Sequence, residues 1–504
     1  MRLNFGCSTC LRLLLAFCGA GHLFAQAERV DCHQSGHHRY VLVDLGTLGG
    51  PTSHQLAGLQ LLNNRGTLIA FGDLAAPDPY APNCLQNCFL SHAMKWENGV
   101  TTDLGALPGV NDSLAFGISA NGLIAGLSED GVIDPLTNFP EVEPVLWERD
   151  GRIVDLGSLG GNEGQAFSVN TRGQVVGVAL NATPDAYAPF FYLLPAATQA
   201  RAFLWERGAM QDLGTLGGPD AGAFTVNERG QIGGMSFTNS TANATTGIPT
   251  VHPFLWENGH MLDIGSLGGT LSVLGVVCCG NGTPGLNNRG QISGTSTLAG
   301  DKVQHAFFWE RGVLRDLGTL GGANSQEFYL TETGEVVGRA DFSPSSTDHH
   351  AFSWKDGVMT DLGTLGTWPC STSYGANSRE QVVGDTGICN VGGGPPFLSE
   401  HGERMVDLNT LVLPGSDLTL DAASFINERG EIAGDALLPN GDTRAILLIP
   451  CDRDHADFEG CKGHVDEVVT DDMLAAAAAA PTRLTKGSVN HESRVWARQV
   501  SQLP

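Results

Sequence analysis

Apolar and polar residues alternate along this chain in short bursts, and the bursts recur. One unit shows the pattern clearly. Ala166-Phe-Ser-Val-Asn170 alternates as a half-buried strand does. Thr171-Arg172-Gly173 is a turn, and Gln174-Val-Val-Gly177 reads as a second strand. After a variable loop come a third strand, Ala202-Phe-Leu-Trp205, a turn ending at Gly208, and a fourth strand, Met210-Gln-Asp-Leu-Gly214. Short β-branched and aromatic runs joined by glycine turns predict antiparallel hairpins. No stretch before residue 463 carries a convincing helical period.

The fourth strand leads into D-L-G-T-L-G-G, and this string organises the chain. Its eight copies, strict and loose, begin at Asp44, Asp103, Asp155, Asp212, Asp263, Asp316, Asp361 and Asp407, 45 to 59 residues apart. Four strands in about 50 residues is the period of a propeller blade; β-helix rungs are shorter and have fewer hairpin turns. An N-x-x-G-x-x-x-G hairpin also occurs eight times, from about Asn64 to Gly434. The first D-L-G strand precedes the first hairpin, and the last third-strand, Arg444–Leu448, has no D-L-G strand after it. Tyr40–Gly46 is therefore expected to pair with Arg444–Ile449. The fold class predicted is an all-β propeller of eight four-stranded blades over residues 40–450, closed by its two ends, which removes exposed sheet edges.

The flanks read differently. Arg2 and Arg12 border an apolar run, and Ala25-Gln26-Ala27 has the form of a cleavage site, so residues 1–27 are expected to be a signal peptide. Phe17 before Cys18 does not suit a lipoprotein, and the apolar run is too short to span a bilayer. Residues 28–39 form a leader, 451–462 a disulfide loop, and 463–504 a mostly disordered tail. The expected localisation is secreted, extracellular or cell-surface, with the periplasm as the alternative. Export makes disulfides the default, and Cys84 with Cys88, Cys370 with Cys389, and Cys451 with Cys461 are the local pairs. Cys32, Cys278 and Cys279 are left without an assigned partner.

Among 504 residues there are 67 glycines and 16% charged residues, as suits a turn-rich β protein. The net charge of −26 disfavours nucleic acid as a partner. No transmembrane segment, cofactor or metal site is predicted, and a monomer is expected.

The string His-Ala-Phe-x-Trp, at His305–Trp309 and His350–Trp354, followed by E-x-G and D-L-G-T-L-G-G, resembles the bacterial HAF-repeat family of extracellular repeat proteins. The resemblance spans about Tyr40 to Pro450; Glu143, Arg201, Pro396 and Arg444 depart from its histidine. It implies export and a repetitive β fold, and it implies no defined activity or catalytic residue.

The repeated Asp is expected to cap its own glycine turn, and the repeated Trp (Trp96, Trp147, Trp205, Trp256, Trp309, Trp354) to pack between blades. His92, His252, His305 and His350 could converge only if their strand lined a central channel. The loops after the second and fourth strands should share one rim. The long ones, residues 73–91, 128–143, 179–200 and 236–251, are where binding is expected. Two carry a common piece, Pro77-Asp-Pro-Tyr80-Ala-Pro82 and Pro184-Asp-Ala-Tyr187-Ala-Pro189. Tyr80, Tyr187, Phe190, Phe191 and Tyr192 are candidate ligand-binding rings, for a sugar or a peptide if exposed, or packing over the rim if not. The favoured function is a non-catalytic binding module for a glycan or protein ligand, which predicts no cluster of perturbed carboxylates at a pocket. The alternatives are a secreted polysaccharide hydrolase or lyase using acids among Glu129, Asp130, Asp134, Glu141 and Glu143, or a structural envelope protein.

Overall fold

The computed structural model describes residues 36–470, apart from 56–59, 193, 276–284, 345–347 and 466, together with the strands Cys10–Ala16 and Phe24–Val30. Those two strands pair only with each other. Among the described residues the only helical pieces are four 3-10 turns, at Ala188–Phe190, Leu408–Thr410, Arg453–His455 and Glu459–Cys461.

Six four-stranded sheets and one eight-stranded sheet make up residues 40–450. The eight-stranded sheet is joined at one parallel pair, Val251 with Leu271, and divides there into two four-stranded halves. In chain order the units are sheet 1 (49–103), sheet 2 (113–155), sheet 3 (164–212), sheet 4 (221–263), sheet 5 (268–316), sheet 6 (325–363), sheet 7 (370–407) and sheet 8 (419–450). Sheet 8 takes its fourth strand from the other end of the chain: Tyr40–Asp44 pairs antiparallel with Thr443–Pro450, Asp44 opposite Ile446 and Tyr40 opposite Pro450. The expected pairing of the two ends is thus present, and the fold is all-β and propeller-like.

The sheets stack face to face, so the inner strands are buried on both sides. In Val175–Pro184 the first six residues are all buried, which is why this strand reads as an apolar run rather than an alternation. The tryptophans seal the contacts between sheets as expected. Trp147 Nε1 donates to the Leu104 carbonyl of the preceding sheet at 3.0 Å, and the Trp354 ring lies 5.3 Å from Phe308.

One rim is built by the N-x-x-G turns. Asn170 Oδ1 accepts from the N–H groups of Arg172 and Gln174, holding its own turn, while its Nδ2 donates to the Asn227 carbonyl of the next sheet at 3.0 Å. The same bridge runs from Asn63 to Ser119, Asn121 to Thr171, Asn227 to Asn287, Asn287 to Thr331, Asn377 to Asn427, and from Asn427 back to Asn63. Thr331, which has no amide to offer, leaves one gap among the described residues. The opposite rim carries the L-G-G turns. Gly217 needs its positive φ of 118°, and a Cβ on Gly218 would stand 2.3 Å from Phe237 Cβ. Gly218 N–H instead donates to the Phe237 carbonyl at 2.9 Å, at the end of the second strand of sheet 4. This contact puts the fourth-strand turns and the second-strand loops on one rim, as the sequence predicts.

The ends of the fold extend further than expected. Gly36–His38, in the leader, pairs with Val468–Thr470, so regular structure continues past the boundary placed at 463. The reason is local: His37 is buried with its Nδ1 2.6 Å from Glu400, and Val469 is 3% exposed. The three expected disulfides, Cys84–Cys88, Cys370–Cys389 and Cys451–Cys461, are formed. Cys32, Cys278, Cys279 and the tail from 471 lie outside the described residues. Among the described residues no helix is long and apolar enough to cross a membrane.

Candidate functional site

The repeated Asp and the HAF histidine turn out to be partners. Nδ1 of His92, His252, His305 and His350 stands 2.9–3.0 Å from the carboxylates of Asp103, Asp263, Asp316 and Asp361, each 11 residues on. Arg201 takes the same place toward Asp212 at 3.0 Å. The carboxylate also accepts the N–H of the turn glycine two residues later, at Asp44, Asp103, Asp155, Asp212, Asp263, Asp316 and Asp361. Asp407 caps Asn409 in the same way. Burial works against the charge at Asp103, but the bonds from His92 and the Gly105 N–H hold its pKa below the ordinary value. The histidines are therefore spent on separate turns and do not converge. Sheet 2 departs from this: Glu143 replaces the histidine, and burial first, then Asp155, push its pKa up to about 8.

The long-loop rim is built from equivalent junctions between successive sheets. At three of them, the residue before the next first strand accepts a hydrogen bond from the preceding sheet and pairs with the third residue after the second-strand glycine. Between sheets 1 and 2 these are Asp112 and Glu129. Asp112 Oδ1 accepts from Ser91 N–H at 2.7 Å, and Glu129 Oε2 accepts from Asp112 N–H at 2.8 Å. The Pro77–Pro82 loop lays Asp78 over them, its Oδ1 accepting from Tyr80 N–H at 2.7 Å. Asp78, Asp112 and Glu129 are 3%, 0% and 0% exposed, and one oxygen from each lies within 4.8 Å of the others. Burial, with Glu129 beside it, pushes Asp112 up to about 8; burial pushes Glu129 up to about 7.

Between sheets 3 and 4 the same positions are Asp220 and Phe237. Asp220 Oδ1 accepts from Ala200 N–H at 2.8 Å, and the Pro184–Pro189 loop brings Asp185, whose Oδ1 accepts from Tyr187 N–H at 2.6 Å. Phe237 occupies the place of Glu129. Its ring packs against Phe191 at 4.8 Å, Phe190 at 5.7 Å and Tyr187 at 6.0 Å. Of the two readings open for these rings, packing over the rim is the one the structure shows. Phe191 and Tyr192 are buried, and Tyr187 and Phe190 are spent on Phe237. Tyr80 is half-buried beside the acids.

Between sheets 5 and 6 the positions are Asn324 and Asp341, and here the junction is open. A polar cavity of about 360 Å³ lies on the rim, lined among others by Asp301, Lys302, Asn324, Arg339, Asp341 and Asn390. Asp341 Oδ2 accepts from Asn324 N–H at 3.0 Å and from its Nδ2 at 2.8 Å. Asp301 accepts from Thr297 Oγ1 and Thr270 N–H, both at 2.6 Å; against its burial, these bonds hold its pKa below the ordinary value. Clustered perturbed carboxylates, which a non-catalytic module does not predict at a pocket, do occur in this protein. One cluster with raised values sits buried at the sheet 1–2 junction and raised acids also stand at Glu141, Glu143 and Glu163, but no acid with a raised pKa lines this cavity. Of the acids proposed for hydrolysis, Asp134 and Glu141 are also buried. Asp134 caps its own loop through Leu136 N–H, and Glu141 accepts from Asn162.

The sequence reading missed Asp112 and Asp78 as partners of Glu129. The signal was there in the paired Pro-Asp-x-Tyr loops and in the acid standing before Ser113 and before Ala221. The cavity had no comparable signal, because its lining comes from three sheets.

No family model and no curated protein sequence matches this chain. Among solved structures it is similar to a puromycin-hydrolyzing peptidase of Mycobacterium tuberculosis (11% identity, TM-score 0.39, covering 80% of this chain and 61% of that one). It is also similar to a protein assigned as a gluconolactonase (10% identity, TM-score 0.26, covering 69% and 89%). The chain thus spans about three fifths of the peptidase.

Proposed function

We propose that this chain is an exported, HAF-repeat-type, eight-bladed propeller, closed by Tyr40–Asp44, that binds a glycan or protein ligand through its long-loop rim without catalysis. The open cavity between sheets 5 and 6 carries the reading. It offers Lys302, Arg339, Asn324 and Asn390, a hydrogen-bonding set suited to hydroxyl and acidic groups of a saccharide. Its two carboxylates are already engaged as acceptors, and Asp301 is held ionised. Hydrolysis of a glycosidic bond needs an accessible acid whose pKa is raised so that it can donate a proton. None of the acids whose pKa is raised lines the cavity.

The test is a glycan-array screen of the purified chain, scored in parallel for release of reducing sugar. Saturable binding without release, weakened about tenfold or more by Lys302→Ala or Asn390→Ala with an unchanged melting temperature, is the expected result. Sugar release would overturn the non-catalytic reading; binding that both variants leave intact would move the site elsewhere on the rim.

A further inference from the structure

We propose that Asp78, Asp112 and Glu129 hold a calcium ion that staples the Pro77–Pro82 loop of sheet 1 to sheet 2. Each carboxylate has one oxygen engaged by a backbone N–H: Tyr80 for Asp78, Ser91 for Asp112, and Asp112 for Glu129. The other oxygen of each, Asp78 Oδ2, Asp112 Oδ2 and Glu129 Oε1, is buried and has no hydrogen-bond partner among the described residues. A buried acceptor left unsatisfied is costly, and one shared cation would satisfy all three at once. No lysine or arginine forms an ion pair with any of the three among the described residues.

A further buried acceptor stands beside this trio. Asn111 is 1% exposed; its Nδ2 donates to the Leu107 and Pro108 carbonyls, but its Oδ1 has no partner. A Cβ on Gly131, two residues past Glu129, would lie 3.6 Å from that Oδ1 and 3.8 Å from the Tyr80 hydroxyl. The donor set is all oxygen, as a hard cation requires. One oxygen of each carboxylate lies within 4.8 Å of the others, close enough for all three to reach one calcium ion at about 2.4 Å each.

The fold does not need Glu129 to seat such a loop. At the sheet 3–4 junction the same Pro-Asp-x-Tyr loop is seated over Asp220 with Phe237 in that position. The third acid is an addition, and it is made where the orphan oxygens gather. This inference is independent of what the cavity between sheets 5 and 6 binds.

The experiment uses the full chain, stripped with a chelator and titrated with calcium chloride by calorimetry. Terbium serves as a second probe, read by luminescence sensitised through Tyr80. The expected result is one site per chain, with affinity lost about 10- to 100-fold in Glu129→Gln and in Asp78→Asn, and unchanged in Asp220→Asn. Calcium should also raise the melting temperature of the parent chain and not that of Glu129→Gln. Either variant suffices if the other does not fold. Absence of calcium binding and terbium luminescence in the parent chain, or equal binding in both variants, overturns the proposal.

Discussion

Two junctions of this protein are built on one plan and filled in opposite ways. Between sheets 1 and 2 the Pro-Asp-x-Tyr loop closes over carboxylates; between sheets 3 and 4 its counterpart closes over rings. The backbone is the same at both. Asp78 N–H donates to Cys88 O and Asp185 N–H to Ala197 O, both at 3.1 Å. Glu129 and Phe237 send their N–H groups to the carbonyls of Asp112 and Asp220. The backbone hydrogen bonds fix where the loop lies, and one side chain decides whether two acids at the junction stand beside a cluster of rings or are joined by a third acid.

The largest effect is expected where the filling is apolar. Phe237→Ala would open a cavity under three rings and cost about 4 kcal/mol, measured by urea unfolding. A loss below about 1 kcal/mol would mean that the rings collapse into the space and that the two junctions differ less than their side chains suggest.

Next is Asp220, whose pKa burial pushes up to about 7. Folded, it keeps its proton up to that pH; unfolded, it releases it near pH 4. Its contribution to stability is therefore greatest at acid pH and is lost as pH rises between the two values. Asp220→Asn keeps the acceptor for Ala200 N–H and removes the charge. It should match the parent chain near pH 4 and exceed it by up to about 4 kcal/mol at pH 8. An advantage that is constant across pH would sink this account.

The smallest effect concerns the tyrosines. Tyr187→Ala removes a ring that touches Phe237 and should cost about 1 kcal/mol. Tyr80→Phe, at the acidic junction, keeps its packing and should stay within about 0.5 kcal/mol of the parent chain when calcium is withheld.

The repeat made the architecture legible. A hydrophobic period of two, glycine turns and eight D-L-G strings specify strands and their order, and the unmatched strands at the two ends foretold the pairing of Tyr40–Asp44 with Thr443–Pro450. The disulfides were legible for the same reason, since each partner lies within one loop or repeat. The rim was not. Asp112 and Glu129 are separated by a hairpin and Asp78 by a further sheet, so only the stacking of sheets brings them together. Phe190 and Phe191 looked available because the sequence does not say that Phe237 stands beneath them. The His–Asp pairs fall between these cases: their constant 11-residue spacing was visible, and its meaning needed the hairpin register.

The strand Tyr40–Asp44 has a consequence in time as well as in space. It leaves the ribosome first among the strands of residues 40–450, yet its partner, Thr443–Pro450, is synthesised last, roughly 400 residues later. Bringing such distant segments together costs about 5 kcal/mol of chain entropy, so sealing comes after the individual hairpins have formed. Until then sheet 8 keeps an open edge, and the nascent protein is a string of separable hairpins rather than a locked body. A chain that cannot lock before its end is made remains threadable until then, a property that fits the export proposed for it.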